Sequence, residues 1–311
     1  MEFFKKTPTI PFMANRRWFY GLSAFMMVAT LLLLLTRGLN FGIDFTGGVV
    51  LEIAYPQSAD LDKAREAVAV AGFPEAQIQN FGTARDIMVR VLPQEGQDVV
   101  QVGNRIADAL RTVEPGIELR RTEVVGPQVG EELAEQGGLA MLFTFIMILI
   151  YVGFRFEKKM GLSAVLGGIH DPIIILGFFS LTQLPFDLSV LAAVLAVIGY
   201  SLNDTVVVFD RVREVFISTR KAEPAEMIDL AVNQTLSRTL MTSFATLFVV
   251  GSLYLFGGEA LKGFSIAIIV GVIVGTFSSI FVAGELALDM KLKPTDLMPP
   301  VRDDKELDAI P

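Results

Sequence analysis

Asp204 stands inside "LSVLAAVLAVIGYSLNDTVVVFD" (188–210), a run otherwise apolar enough to cross a bilayer. It lies six residues before Asp210, about 9 Å along a helix at 1.5 Å per residue, further than an aspartate stem reaches. A carboxylate at mid-helix costs about 2.5–3.5 kcal/mol on insertion scales. Such a residue is either a polar contact between helices or a station on an ion path. Asn203, beside it, continues a face of small residues made by Ala192, Ala196 and Gly199. Arg238 opens a later apolar run, with Thr242 and Thr246 at i+4 and i+8. Alone, this arginine reads as an interface residue whose stem snorkels. Beside an aspartate at similar depth it reads as that aspartate's partner. Arginine stays protonated and carries no proton itself, but its approach or withdrawal changes the proton affinity of a nearby carboxylate. A third polar position is His170 with Asp171 in "GIHDPIIIL" (168–176), followed by Pro172. Either these side chains satisfy backbone acceptors freed by the proline, or they form a second relay element.

The elements that must hold these residues are membrane helices. The 311 residues are 52% hydrophobic with a mean hydropathy of +0.53, too apolar for an ordinary soluble domain. Six runs are long enough for a bilayer core of about 30 Å: 18–36, 139–156, 162–182, 188–210, 238–256 and 263–288. The first follows Lys5, Lys6, Arg16 and Arg17 and ends without a small-residue cleavage site, as a retained anchor does. Positive charge gathers in 155–159 and in 211–238, whereas the loops near 183–187 and 257–262 carry only Lys262. The positive-inside rule then predicts cytoplasmic termini, 1–17 and 289–311, and an extracytoplasmic segment 37–136. The last run carries Gly263, Ala267, Gly271, Gly275, Ser279 and Ala283 at every fourth position, a stripe for close helix packing. Four-residue steps drift by about 40°, so the stripe is expected to cross more than one neighbour. Residues 294–311 read as a solvated, disordered acidic tail.

The segment 37–136 changes period. Strands are predicted at 49–56, 76–82, 86–93 and 117–126, with amphipathic helices at 59–72 and 98–113, the β-α-β-β-α-β order of a ferredoxin-like domain. Its carboxylates Asp60, Asp62 and Glu66 fall on a solvated helix face, and nothing in it has a catalytic arrangement. "LNFGIDFTGG" (39–48) predicts a tight turn or close backbone approach before the first strand. The chain has no cysteine and one histidine, which excludes disulfides and cysteine-based metal centres. No Walker-type phosphate loop is present; "GGEALKGFS" has phenylalanine where the lysine belongs. The net charge of −8 is concentrated in 37–136 and argues against nucleic acid there. No cofactor or metal is expected, and no enzyme activity.

"LNFGIDFTGG", "VVGPQVGEEL" (124–133), "HDPIIILGFFSL" (170–181), "GYSLNDTVVVFDRVRE" (199–214) and "LSRTLMTS" (236–243) occur in the order that the SecF family shows. On these motifs the chain resembles that family, the smaller membrane subunits of the bacterial SecDF protein-export complex, over nearly its whole length. The segment order is also similar to half of an RND-type transporter. The resemblance implies a six-helix bundle with an inserted ferredoxin-like domain in the bacterial inner membrane. It further implies use of the proton motive force to assist export of unfolded polypeptide through the SecYEG channel after SecA-driven insertion. Asp204 and Arg238 fall on the family's proton-relay positions, working with an aspartate of SecD. SecD, SecYEG, YajC, the exported polypeptide and membrane lipid are the implied partners. Two other readings are an RND-type exporter of a small molecule or lipid, which would need a larger pocketed domain, and a structural assembly factor that braces the channel.

Overall fold

The computed structural model describes residues 7–92, 99–219 and 222–297. Lys5, Lys6, Pro93, Asp98, Arg220, Lys221 and the tail from 298 lie outside the described residues. Among those described, six helices are long and apolar enough to cross a membrane. Five are continuous: α1 (Arg16–Thr36), α5 (Pro127–Arg155), α6 (Lys158–Thr182), α7 (Leu188–Ser218) and α8 (Pro224–Phe256). The sixth runs as α9 (Lys262–Phe277), a wide π turn (Ser278–Val282) and α10 (Ala283–Asp289). Several helices extend well beyond the apolar runs. Prolines at the first turns of α5 and α8, where a missing N–H costs nothing, set the true starts at 127 and 224. Arg238 therefore lies in the fourth turn of α8 instead of opening it.

The helices α6, α7 and α9 form the bundle's interior, while α1, α5 and α8 leave most of their surface outward. Close approach depends on small residues. A Cβ added at Gly263 would lie 3.0 Å from Val190, one at Gly275 would lie 3.1 Å from the Ser201 Cβ, and one at Gly271 would run into Val197. All three face α7; Ala267 between them is fully buried in the same core. Beyond the π turn the stripe changes neighbour, and Ala283 meets Gly167 of α6. The tail begins with order: α11 (Pro294–Leu297) buries Leu297, and Asp296 accepts from the Lys293 amide at 2.9 Å and from Lys159 at 2.7 Å. This corrects the expectation of a solvated end for 294–297; one apolar anchor and one capped turn suffice to dock them. The Lys159 ammonium beside Asp296 holds that carboxyl below the usual carboxylate range.

Between α1 and α5 sits the α/β domain: β1 (Gly48–Ala54), α3 (Leu61–Val70), β2 (Gln77–Phe81), β3 (Thr83–Val91), α4 (Val99–Val113) and β4 (Glu118–Val125). The sheet order is β2-β3-β1-β4 with every neighbouring pair antiparallel, the ferredoxin-like arrangement. Alternation fixes the faces. Leu51, Ile53, Ile87 and Val89 pack under Val68 of α3 and Ile106 and Leu110 of α4. Glu52, Met88, Arg90, Arg121 and Glu123 turn to the other face, over a cavity of about 580 Å³. Asp60, Asp62 and Glu66 are exposed on α3. Asp60 caps that helix by accepting from the Asp62 and Lys63 amides, which lowers its proton affinity.

Candidate functional site

The residues 39–48 form the joint between domain and bundle. The Gly42 amide donates to the Phe186 carbonyl and the Phe186 amide to the Asn40 carbonyl, each at 2.8 Å. A short turn, α2 (Ile43–Thr46), follows and places Asp44 so that its carboxylate accepts from the Leu188 amide at 2.9 Å. Asp187 accepts from the Val190 amide at 2.8 Å. Two carboxylates thus cap the N-terminus of α7, where they also complement the helix dipole. The two glycines are used for their backbone. Gly47 has φ +68° and Gly48 φ +131°, and a Cβ on Gly47 would lie 2.8 Å from the Pro127 Cα. The expected close backbone approach is therefore present, and it is against the start of α5.

Sixteen residues below that cap, α7 carries Asp204. Its side chain is 4% exposed. The Thr239 hydroxyl donates to Oδ1 at 3.3 Å, and Oδ2 has no hydrogen-bond partner among the described residues. Arg238 adjoins Thr239, but neighbours on a helix diverge by about 100°, and the arginine faces outward. No ion pair joins Asp204 to Arg238 among the described residues. Asn203 and Thr242 are also exposed, and the Thr242 hydroxyl donates to the Arg238 carbonyl at 3.1 Å. The structure thus separates one buried carboxylate from three polar side chains that stand on the outer surface of α7 and α8.

His170 and Asp171 do not serve the backbone freed by Pro172. Asp171 is fully buried, and its Oδ2 accepts from Ser278 at 2.7 Å and from Ser201. Its Oδ1 lies 2.9 Å from His170 Nδ1, and His170 Nε2 lies 2.7 Å from the Ser23 hydroxyl. This network joins α1, α6, α7 and the π turn. Ser201 sits one turn before Asp204 on the same face of α7, so the two carboxylates share a wall of the bundle. Gly275 makes room for it, since a Cβ there would lie 3.5 Å from Asp171 Oδ2. Ser23, Ser201 and Ser278 were not legible as participants, because a serine in an apolar run carries no signal of its own. A further buried carboxylate, Glu285 of α10, was missed for a different reason. It stands four residues before Asp289, where a charge reads as an interface residue.

Among the described residues no cluster of three or more His, Asp or Glu side chains could hold a metal ion. Ser23, His170 and Asp171 have the connectivity of a hydroxyl, a base and an orienting carboxylate, but all three are buried between helices; the arrangement offers oxygens and an imidazole between which a proton can be exchanged.

The family model described as protein export membrane protein SecD/SecF, C-terminal, matches residues 105–293, and the SecD/SecF GG motif matches 32–59, which contains the joint. Protein translocase subunit SecF of Vibrio alginolyticus is 46% identical over 313 residues, covering 100% of this chain and 99% of the relative. The corresponding subunit of Pseudomonas aeruginosa is 48% identical over 297 residues, with 95% and 96% covered. Among solved structures, SecDF from Thermus thermophilus, described as a translocon-associated membrane protein, superposes with a TM-score of 0.81 at 34% identity. That match covers 91% of this chain and 39% of the SecDF chain. SecDF in a super-membrane-facing form matches with a TM-score of 0.69.

Proposed function

The chain belongs to the SecF family of protein translocase subunits, and from that premise we propose that it uses the proton motive force to assist export of unfolded polypeptide through the SecYEG channel. Its part is in transport, not catalysis. The observation that carries the reading is Asp204, a buried intramembrane carboxylate with one oxygen unpartnered. A group so placed is a functional position by default, because burial without a partner is costly. Each elementary charge falling through 100 mV releases about 2.3 kcal/mol.

The coupling runs along α7. The domain's joint grips the N-terminus of this helix through Asp44, and Asp204 lies sixteen residues further, about 24 Å along one rigid element. A change in charge at Asp204 that shifts α7 therefore moves the joint and the domain with it. The exposed Asn203, Arg238 and Thr242 support SecD as the partner that covers this flank. The chain corresponds to only 39% of SecDF, and Arg238 would meet a carboxylate supplied from the SecD side. Membership of the SecF family supports the bacterial inner membrane, and the charge pattern supports both termini cytoplasmic. No cofactor is required for this cycle.

The test is gradient-dependent export in vesicles that contain this subunit, SecD and the channel, comparing wild type with Asp204→Asn. Loss of the gradient-dependent part alone supports the proton role. Unchanged gradient dependence overturns it and leaves Asp204 as a helix contact within a brace for the channel.

A further inference from the structure

Glu285 is fully buried, and neither of its carboxylate oxygens has a hydrogen-bond partner among the described residues. It stands just past the π turn, where the Ala283 amide reaches back to the Ser278 carbonyl. Such turns recur at functional sites. The groups that surround it are few. From α1, the Tyr20 hydroxyl is buried and turned toward Asp289 without a well-formed hydrogen bond, and Arg16 lies within electrostatic range. From its own helix comes Asp289, 3.8 Å from Arg16, with both of those side chains partly exposed. On α8, Ile228 packs at Gly284, and the adjacent Asp229 is committed to the Met13 amide at 2.9 Å. On α6, the Ser163 hydroxyl is turned to its own backbone carbonyls.

These groups continue a line already described. Tyr20 is three residues before Ser23 on α1, one turn apart on one face, and Ser23 binds His170. Ser278, which binds Asp171, is seven residues before Glu285, about 10 Å along the helix. By their spacing on α1 and α10, the partly exposed Asp289 and Arg16, then Glu285 and Tyr20, lie in order before the bonded set Ser23, His170, Asp171 and Ser201. No hydrogen bond among the described residues joins Glu285 or Tyr20 to that set. Asp204 is one turn beyond Ser201.

We propose that Glu285 is a second proton-binding carboxyl of this subunit, set where a buried polar column opens toward the end of the bundle that carries the N-terminus of α1. Protons exchange between that side and Asp204 through Glu285 and the His170–Asp171 network. This deepens the proton-driven reading and rests on it for the direction of flow, but not for the binding of a proton at Glu285.

Two measurements on the full complex with SecD separate the two. Infrared spectra of wild type and Glu285→Gln, recorded across pH, should show a protonated-carboxyl band that titrates in wild type and is absent in the variant. An identical band pattern in both overturns the proposal. In export vesicles, Glu285→Gln should lose the gradient-dependent part and keep the ATP-driven part; full retention of gradient dependence also overturns it. Should Asp204→Asn retain gradient dependence, the proton-driven reading fails, and the infrared result alone then decides Glu285. If Glu285→Gln does not accumulate, Tyr20→Phe serves instead. It should shift the titration of the same band, and an unmoved band overturns the proposal.

Discussion

Replacing Gly47 with alanine tests the joint directly. Gly47 has φ +68° and ψ 174°, a region that side chains other than hydrogen rarely adopt, and such strain costs about 1–3 kcal/mol. The added Cβ would also lie 2.8 Å from the Pro127 Cα and 3.0 Å from its nitrogen. Those are backbone atoms of the first turn of α5 and cannot swing aside, so overpacking contributes a further ~1–3 kcal/mol. The two together come to about 2–6 kcal/mol, and about 3 kcal/mol already corresponds to roughly a hundredfold increase in local opening. Hydrogen exchange reads this at two amides, that of residue 47, bonded to the Ile43 carbonyl, and that of Gly42, bonded to the Phe186 carbonyl. Gly130→Ala is an independent approach to the same contact, since its Cβ would sit 2.6 Å from the Gly47 nitrogen. Gly126→Ala is the control: nothing lies within 4 Å of its Cβ, and its φ of −66° suits any residue. The reasoning is refuted if Gly47→Ala exchanges at the wild-type rate, or if Gly126→Ala opens the joint as much.

Gly177→Ala drives a Cβ into the Thr30 side chain and should loosen α1 from α6 by about 1–3 kcal/mol. Cross-linking between the two helices should fall, and Thr30→Gly in the same chain should restore it. Ile87→Ala removes a fully buried side chain from the sheet and should destabilise the α/β domain by about 2–5 kcal/mol. Denaturant titration followed through the exchange of β3 amides measures this. Asp296 is held below its ordinary proton affinity by Lys159. Its contribution to docking α11 is therefore present above the unfolded carboxylate value of about 4 and is lost as pH falls through the lower folded value. Protection of the Asp296 amide, its exchange rate taken relative to that of an unstructured peptide at the same pH, should be high near neutrality and fall in acid, and Lys159→Met should raise the onset of that loss toward the unfolded value.

The six spans were legible because about 20 apolar residues have one common use in a membrane, and the α/β domain because its period changes at each element. The helix ends were not legible in the same way. An apolar window sees the part that faces lipid, while α8 continues fourteen residues before Arg238 as an ordinary amphipathic helix. Asp204, His170 and Asp171 announced themselves as charges in apolar surroundings. Which way each side chain turns did not, because that depends on neighbours the chain reaches only by folding. Asp204 and Arg238 are both mid-helix, yet the first is inside and the second outside. Glu285 lies within the last apolar run but only four residues before Asp289, where a charge carries no sign of whether it is buried.

Only two side chains of α1, Ser23 and Thr30, are buried, and both are polar. The rest of the helix is as compatible with lipid as with protein. This has a consequence for how the helix is positioned. With so little of its surface committed to protein, α1 is stable in the bilayer on its own and can form before it packs on the other helices. It then docks on α6 through two pegs, one hydroxyl against His170 and one threonine over Gly177. A shift of one turn would leave an unsatisfied histidine on one side and a clash on the other. The contact that places α1 thus also fixes its register.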